Sequence, residues 1–464
     1  MANRIIGFRA PEENVKKSAS TGTCKNAGAA TSITWKKPAR GKYGTRILAK
    51  NFEVSEDTFS SGLNGNDIVC ASPGAGKTGG YVAPNILTCD HSMVIADTKG
   101  LLIKKYGPYL KKKGFKVVCL DFVHPERSEK YNFLDQIRRE IKWEKKKDGN
   151  LQEIVKYSQQ DIRELVKLLI ADGKDEDPFW EEAARTVLTA IIAYVIEEAP
   201  GREQNMESVI LVFEAMSAAF ASSDEGKFNG ISFFEELGKT KPNSFAYRTY
   251  KRFVNTFKAE RTWASIAQFV SNGIDIFSFD ELAPFTKSRS SIDLNELGRK
   301  KTALFVNVSD NKRMMDPLVN VFYTQLFQIL MSQADENTDG RLEVPVRIFL
   351  DDFATNVFIP DFDKIVSTIR SRQITVSIIL QDVSQLDGRY PGGLAKTILA
   401  GCDHKIFIGS QELDSAKYIT EFADCTVESV LTLPRGKAWL LERGSKPVLC
   451  DAVEPYSMDK CLEK

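Results

Sequence analysis

The chain has 464 residues, 42% of them hydrophobic and 27% charged, with 30 glycines and 17 prolines; that length favours two or three structural units and excludes a single small module. The composition is that of a folded globular chain, which excludes wholesale disorder and a disulfide-stapled scaffold. Sixty-three Lys and Arg against 62 Asp and Glu leave a net charge of +1, so bulk charge points to no polyanionic partner and any such site must come from local clustering.

Residues 1–50 carry eleven of the basic residues against only Glu12 and Glu13. Residues 1–46 are read as a basic N-terminal extension, a solvated tail with DNA or an anionic membrane surface as the alternatives. From Asp67 onward, short apolar runs rich in β-branched residues alternate with helical patterns. Runs at Ile68–Ala71, Met93–Ala96, Val117–Leu120, Ala303–Val308, Val346–Leu350, Ile374–Leu380, Lys405–Ile408 and Ala438–Leu441 are predicted strands. Because they are apolar on both faces, they predict a buried parallel sheet covered by helices on each side, an α/β doubly wound core.

Directly after the first predicted strand stands Ala71-Ser72-Pro73-Gly74-Ala75-Gly76-Lys77-Thr78, followed by a predicted helix. A phosphate-binding loop needs this layout. Its glycines let Ser72, Pro73, Gly74, Ala75 and Gly76 wrap closely round a phosphate chain at a helix N-terminus; Lys77 adds a cation, and the Thr78 hydroxyl completes a magnesium shell. Ala71 replaces the usual first glycine, at a position that caps the strand.

Between the third and fourth runs no comparable strand is predicted. Helical periodicity instead covers Asp161–Ile170, Pro178–Glu198, Met206–Ala219, Ser244–Phe257 and Thr262–Val270, with Asp177-Pro178 as a helix start. The domain reading is therefore an all-α unit at 151–290 inserted into an α/β unit formed by 47–150 and 291–464. The longest apolar run, Val187–Ile196, is about half of the ~20 residues a bilayer crossing needs, so helix 179–198 is read as the core of the helical unit. Two basic runs, Lys104–Lys113 and Lys142–Lys147, interleave aromatics with lysines; each is a solvated face or a nucleic-acid contact.

The strand Val346–Leu350 ends in Asp351-Asp352. On a strand next to the phosphate loop, Asp351 would hold magnesium and Asp352 would orient the attacking water. Asp352 stands where such NTPases commonly carry Glu, and the shorter carboxylate predicts slow hydrolysis. Farther on, Arg370 and Arg372 precede the strand Ile374–Leu380 and Gln381 follows it. Gln381 is placed to sense a γ-phosphate, and the arginines are read either as fingers reaching a neighbouring subunit's nucleotide or as surface residues paired with local acids. The three histidines, His91, His124 and His404, show no ligand spacing, and the eight cysteines form no CxxC pair; both are read as structural, in a reducing compartment.

Taken together, the phosphate loop with Tyr81-Val82-Ala83-Pro84-Asn85-Ile86-Leu87, Ile95-Ala96-Asp97-Thr98-Lys99-Gly100, Lys130–Asp135, Asp177-Pro178-Phe179-Trp180, Leu350-Asp351-Asp352-Phe353-Ala354, Ile359-Pro360-Asp361-Phe362 and Ile369-Arg370-Ser371-Arg372 resemble the TraG/TraD-type coupling proteins of conjugative type IV secretion. The resemblance runs from about Ile47 to Val448. It implies a RecA-like P-loop NTPase core with an inserted all-α domain and an ATPase using ATP and Mg2+, stimulated by DNA. It further implies a homo-hexamer that receives relaxase-bound DNA and delivers it to the type IV secretion channel proteins.

Members of that family generally begin with two membrane-spanning helices, which this sequence does not show. The expectation is a cytoplasmic variant recruited to the membrane face through a separate membrane-anchoring protein or the basic N-terminal stretch, with no membrane attachment at all as the remaining alternative. Thr98 and Phe133 replace prolines common in their motifs. The alternative function is a nucleotide-gated cargo receptor with little or no ATP turnover.

Overall fold

The computed structural model describes residues 43–145, 151–173, 179–221, 231–256, 260–309, 311, 313–353 and 357–463, with the backbone alone at 141–145, 151–155, 256 and 260–262. The expected helix start Asp177-Pro178, residue Ala354 of the acidic motif and nearly all of the basic extension lie outside them.

Thirteen strands occur among the described residues: β1 (Thr45–Ala49), β2 (Phe52–Ser55), β3 (Asp67–Cys70), β4 (Ser92–Ala96), β5 (Lys116–Asp121), β6 (Arg139–Lys145), β7 (Leu151–Tyr157), β8 (Thr302–Asn307), β9 (Val346–Leu350), β10 (Ile374–Leu380), β11 (His404–Phe407), β12 (Lys437–Glu442) and β13 (Val448–Asp451). Nine of them form one sheet in the order β13-β12-β11-β3-β10-β9-β4-β8-β5. It is parallel from β11 to β5, whereas β12 and β13 add antiparallel at one edge. Alternate residues of the central strands enter two different cores: Ile68, Val94, Ile348 and Leu350 pack on one face, and Val69, Met93, Ile95 and Phe349 on the other. Burial on both faces is why these runs carry no polar alternation.

One expectation about the site is corrected here. The acidic strand β9 is not beside the phosphate-loop strand β3; β10 lies between them, paired in parallel with both. Strand order is set by long-range pairing, which a run of apolar residues does not encode.

The helical unit follows β7 as helices Gln159–Leu169, Phe179–Glu198, Met206–Ala221, Ser232–Thr240, Phe245–Thr256 and Glu260–Ile274. Phe179–Glu198 is buried over most of its circumference, including Arg185, whose guanidinium bonds the Ile170 carbonyl at 2.8 Å and both Glu182 and Asp172 at 2.7 Å. The antiparallel hairpin β6–β7, in register from Arg139↔Tyr157 to Lys145↔Leu151, corrects the reading of 151–290 as all-α, since β7 falls inside it. Alternating residues on either side of Asp148-Gly149 were the available hairpin signal.

A third correction concerns Arg46, counted with the basic extension. It lies on β1 with 0% exposure, bound to Glu56, Asp67 and His404. Helix Leu101–Lys112 and its C-cap Lys113 carry the first basic run, which is partly used up in packing: Tyr106 is fully buried, Lys105 pairs with Asp459, and Lys113 donates to the Leu87 and Cys89 carbonyls at 3.0 and 3.2 Å. Among the described residues no helix is long and apolar enough to cross a membrane.

Candidate functional site

At the carboxyl end of β3 the backbone is handed between neighbouring strands. Ala71 N–H donates to the Leu380 carbonyl (3.1 Å) and Ser72 N–H to that of Gly409 (2.9 Å), so the loop Ser72–Gly76 rises off the sheet at the ends of β10 and β11. Gly74 and Gly76 take φ of 75° and 94°, left-handed values that a side chain would strain. Successive N–H groups curled this way form an anion-binding concavity. A π-helical turn, Thr78–Val82, then leads into helix Ala83–Thr88; such π-turns concentrate at functional sites.

Lys77 is 92% buried by its side-chain exposure of 8%; its Nζ donates to the Ala71 carbonyl at 2.9 Å and stands 3.9 Å from Asp352 Oδ1. Thr78 Oγ1 donates to Asp351 Oδ2 at 2.7 Å. Burial pushes the Asp351 carboxyl up to about 6, against the lowering effects of the Thr78 hydroxyl and the Lys77 charge. A buried carboxylate that its neighbours leave partly uncompensated, beside a hydroxyl oxygen, is the hard-oxygen donor set that Mg2+ takes through one or two carboxylates. These residues fit the cation.

Asp352 has φ 50°, a left-handed backbone that Asp tolerates far better than Glu. This is a local reason for the shorter acid at a position where Glu is common. Gln381, just beyond β10, donates to Asp352 Oδ1 at 3.4 Å. Lys77, Thr78, Asp351, Asp352 and Gln381 thus face one cavity of about 770 Å³, with Pro73, Gly74 and Gly76 at its rim.

Arg370 and Arg372 do not reach that cavity. They precede β10, at the opposite end of the sheet from the loop. Arg370 Nη2 bonds the Thr58 carbonyl at 3.1 Å, and Arg372 makes a bidentate pair with Asp335 at 2.7 and 3.0 Å. Two residues that sequence reasoning missed, Pro455 and Tyr456, line the cavity, together with Asp97, Thr98 and Lys99 from the turn after β4. Asp97 marks that turn by capping helix Leu101–Lys112 through the N–H groups of Leu101 and Ile103, both at 3.0 Å. No local motif announces Pro455 or Tyr456.

Because folding raises the Asp351 pKa, the folded state prefers the protonated acid, and this group costs stability as pH rises from the ordinary 3.8 through about 6. Asp351→Asn is therefore expected to stabilise the metal-free protein at neutral pH, by on the order of 3 kcal/mol, while removing Mg2+-dependent nucleotide binding. Thermal melts with and without Mg2+-ATP check both halves; a lower melting temperature for the metal-free variant would contradict the assignment.

Fold and site together define a RecA-like P-loop NTPase core with an inserted helical unit. Solved structures of the conjugative coupling protein TrwB share this fold: TrwBdeltaN70 with sulphate superposes with a TM-score of 0.59 at 14% identity, covering 90% of this chain and 96% of that one. TrwB with an ATP analogue gives 0.60 at 13%, covering 90% of each chain. Residues 25–432 match the profile of the family described as type IV secretory system conjugative DNA transfer, and the chain belongs to that family, which is that of the coupling proteins of conjugative secretion. Protein VirD4 of Agrobacterium fabrum is 23% identical over 366 residues, 78% of this chain and 50% of its own length. The conjugal transfer protein TraG of Escherichia coli is 22% identical over 402 residues, 84% of this chain and 60% of its own. The chain thus spans about half the length of VirD4 and somewhat more of TraG.

Proposed function

We propose that this protein is a P-loop ATPase that uses ATP and Mg2+ to move relaxase-bound DNA into the channel of a conjugative type IV secretion system, acting as a homo-hexameric ring at the cytoplasmic face of the membrane. The observation that carries the reading is the convergence of Lys77, Thr78, Asp351, Asp352 and Gln381 on one cavity at the carboxyl end of the parallel sheet. Relatives supply further support: TrwB has been solved in complex with ADP and Mg2+, and with non-hydrolysable analogues of ATP and of GTP.

In this reading the N–H groups of the loop Gly74–Thr78 cradle the β- and γ-phosphates, and Lys77 leaves the Ala71 carbonyl to meet them. Mg2+, when bound, supplies Lewis-acid neutralisation of the phosphate oxygens. Thr78 and Asp351 are the residues that would hold it. Asp352 orients and accepts a proton from the attacking water, and Gln381, linked to Asp352, registers whether a γ-phosphate is present. Arg370, tied by one carbonyl contact, is better placed than Arg372 to swing toward a neighbouring subunit, because Arg372 would first have to break its pairing with Asp335.

The test is ATP hydrolysis by the purified protein with and without DNA. Stimulation by DNA in the wild type and loss of turnover in Lys77→Ala support a motor; equal rates in the two proteins remove it. A receptor that binds nucleotide without appreciable turnover is the competing reading, and Asp352→Glu separates the two. A left-handed backbone costs on the order of 1–2 kcal/mol for a residue whose side chain cannot offset it by bonding locally as the short side chain of Asp can, so turnover in Asp352→Glu is expected to stay level or fall. A tenfold or larger gain in steady-state rate would favour the receptor.

A further inference from the structure

The segment after β13 crosses back over the phosphate-loop helix. Tyr456 N–H donates to the Gly79 carbonyl at 2.9 Å, and Tyr106 OH donates to Asp459 at 3.0 Å, so the segment is pinned at two points, one on each of the helices flanking the cavity. Its approach is close. A Cβ on Gly79 would fall 2.9 Å from both Pro455 Cβ and Tyr456 Cε2, and one on Gly80 would fall 2.7 Å from the Val453 carbonyl oxygen. The pair of glycines following Thr78 therefore has a packing role: it admits this segment against the helix that begins at the phosphate loop.

Tyr456 is held there at φ 60°, a conformation that costs a tyrosine energy and persists only where the surroundings over-determine it. Lys105 Nζ stands 4.2 Å from its ring centroid and is itself fixed by Asp459. Even so the residue remains 47% exposed, and it lines the same cavity as Lys77 and Gln381. The part of the ring that Lys105 and Gly79 do not cover is exposed on the wall of the cavity and is available to a ligand there.

Resting on the reading of this cavity as a nucleotide site, we infer that Tyr456 is the platform on which the nucleobase stacks, with Pro455 beside it. Stacking uses the π-face that every base presents, so this platform supports adenine and guanine nucleotides alike.

Calorimetry on the full chain with Mg2+-ATP, Mg2+-GTP and Mg2+-tripolyphosphate, which lacks a base, tests the assignment. Tyr456→Ala and Tyr456→Leu are expected to weaken ATP and GTP by about tenfold or more and to leave tripolyphosphate within about twofold of wild type, while Tyr456→Phe retains wild-type affinity for all three. Wild-type affinity for ATP in Tyr456→Ala overturns the platform. So does a parallel loss of tripolyphosphate, which would make the segment a support for the phosphate loop, and so does a loss in Tyr456→Phe equal to that in Tyr456→Ala. If the wild type binds tripolyphosphate but gains nothing from the base, the platform fails and the phosphate site stands. If it binds neither ATP nor tripolyphosphate, the nucleotide reading falls and the platform with it.

Discussion

Lys77→Ala is expected to lower ATP turnover by at least about 100-fold, the scale on which losing one preorganised charge-stabilising donor acts, while leaving the fold nearly untouched. The two halves of that expectation come from the same geometry. In the nucleotide-free protein Lys77 Nζ makes one carbonyl hydrogen bond, to Ala71, and a 3.9 Å approach to Asp352. Losing the hydrogen bond costs about 1 kcal/mol, and the weak ion pair adds little. In the proposed reading, a triphosphate in the loop draws the same ammonium to the charge that builds up on the transferring phosphoryl group. Steady-state hydrolysis and a thermal melt on one preparation separate the effects. Turnover within threefold of wild type would refute the phosphate role, and a collapsed melt would show that Lys77 acts structurally.

Arg347→Ala is expected to be the most destabilising of the substitutions considered, by about 3–5 kcal/mol. Arg347 on β9 is fully buried. Its guanidinium bonds Glu56 at 3.0 and 2.6 Å, Ser377 at 2.9 Å and the Gly65 carbonyl at 3.1 Å, and lies 3.4 Å from Asp67. Arg46 holds the other side of Glu56 and Asp67, and Tyr81 from the phosphate-loop helix bonds Asp67. Removing Arg347 leaves two buried carboxylates with Arg46 as their one remaining guanidinium, flanked only by His91 and His404.

The same cluster sets an acid limit. Burial raises the Asp67 carboxyl, but Arg46, His404 and Arg347 together bring it down to about 2, and Glu56 is likewise held well below its usual range despite burial. A lowered carboxylate contributes stability above its ordinary value, and that contribution is lost as pH falls from 3.8 toward about 2. Urea unfolding of Arg347→Ala at neutral pH checks the magnitude. A loss under 1 kcal/mol would mean that the cluster reorganises around the gap.

Much of the site was legible from contiguous residues. A phosphate loop is a local object: the backbone of Ser72–Gly76, the cation of Lys77 and the hydroxyl of Thr78 occur in one stretch between a strand and a helix, so composition and spacing reveal them. The acidic pair and Gln381 were legible for the same reason, each closing an apolar strand whose two faces are buried. The hairpin β6–β7 escaped because its lysine-rich alternation reads equally as a solvated helix face, and the edge strand β13 is short.

Other features depend on which distant segments meet. Nothing near Ile374–Leu380 states that this strand separates β3 from β9, yet that order is what brings Gln381 to Asp352. Arg46 looks like one more cation of a basic stretch until folding sets it against Glu56 and Asp67. Tyr456 acquires a candidate role only because the chain returns to Gly79 after more than 370 residues. Propensity, periodicity and motif chemistry are properties of neighbouring residues and can be read in order. Strand order, buried ion pairing and the walls of a cavity follow from long-range packing, which the tertiary structure alone determines.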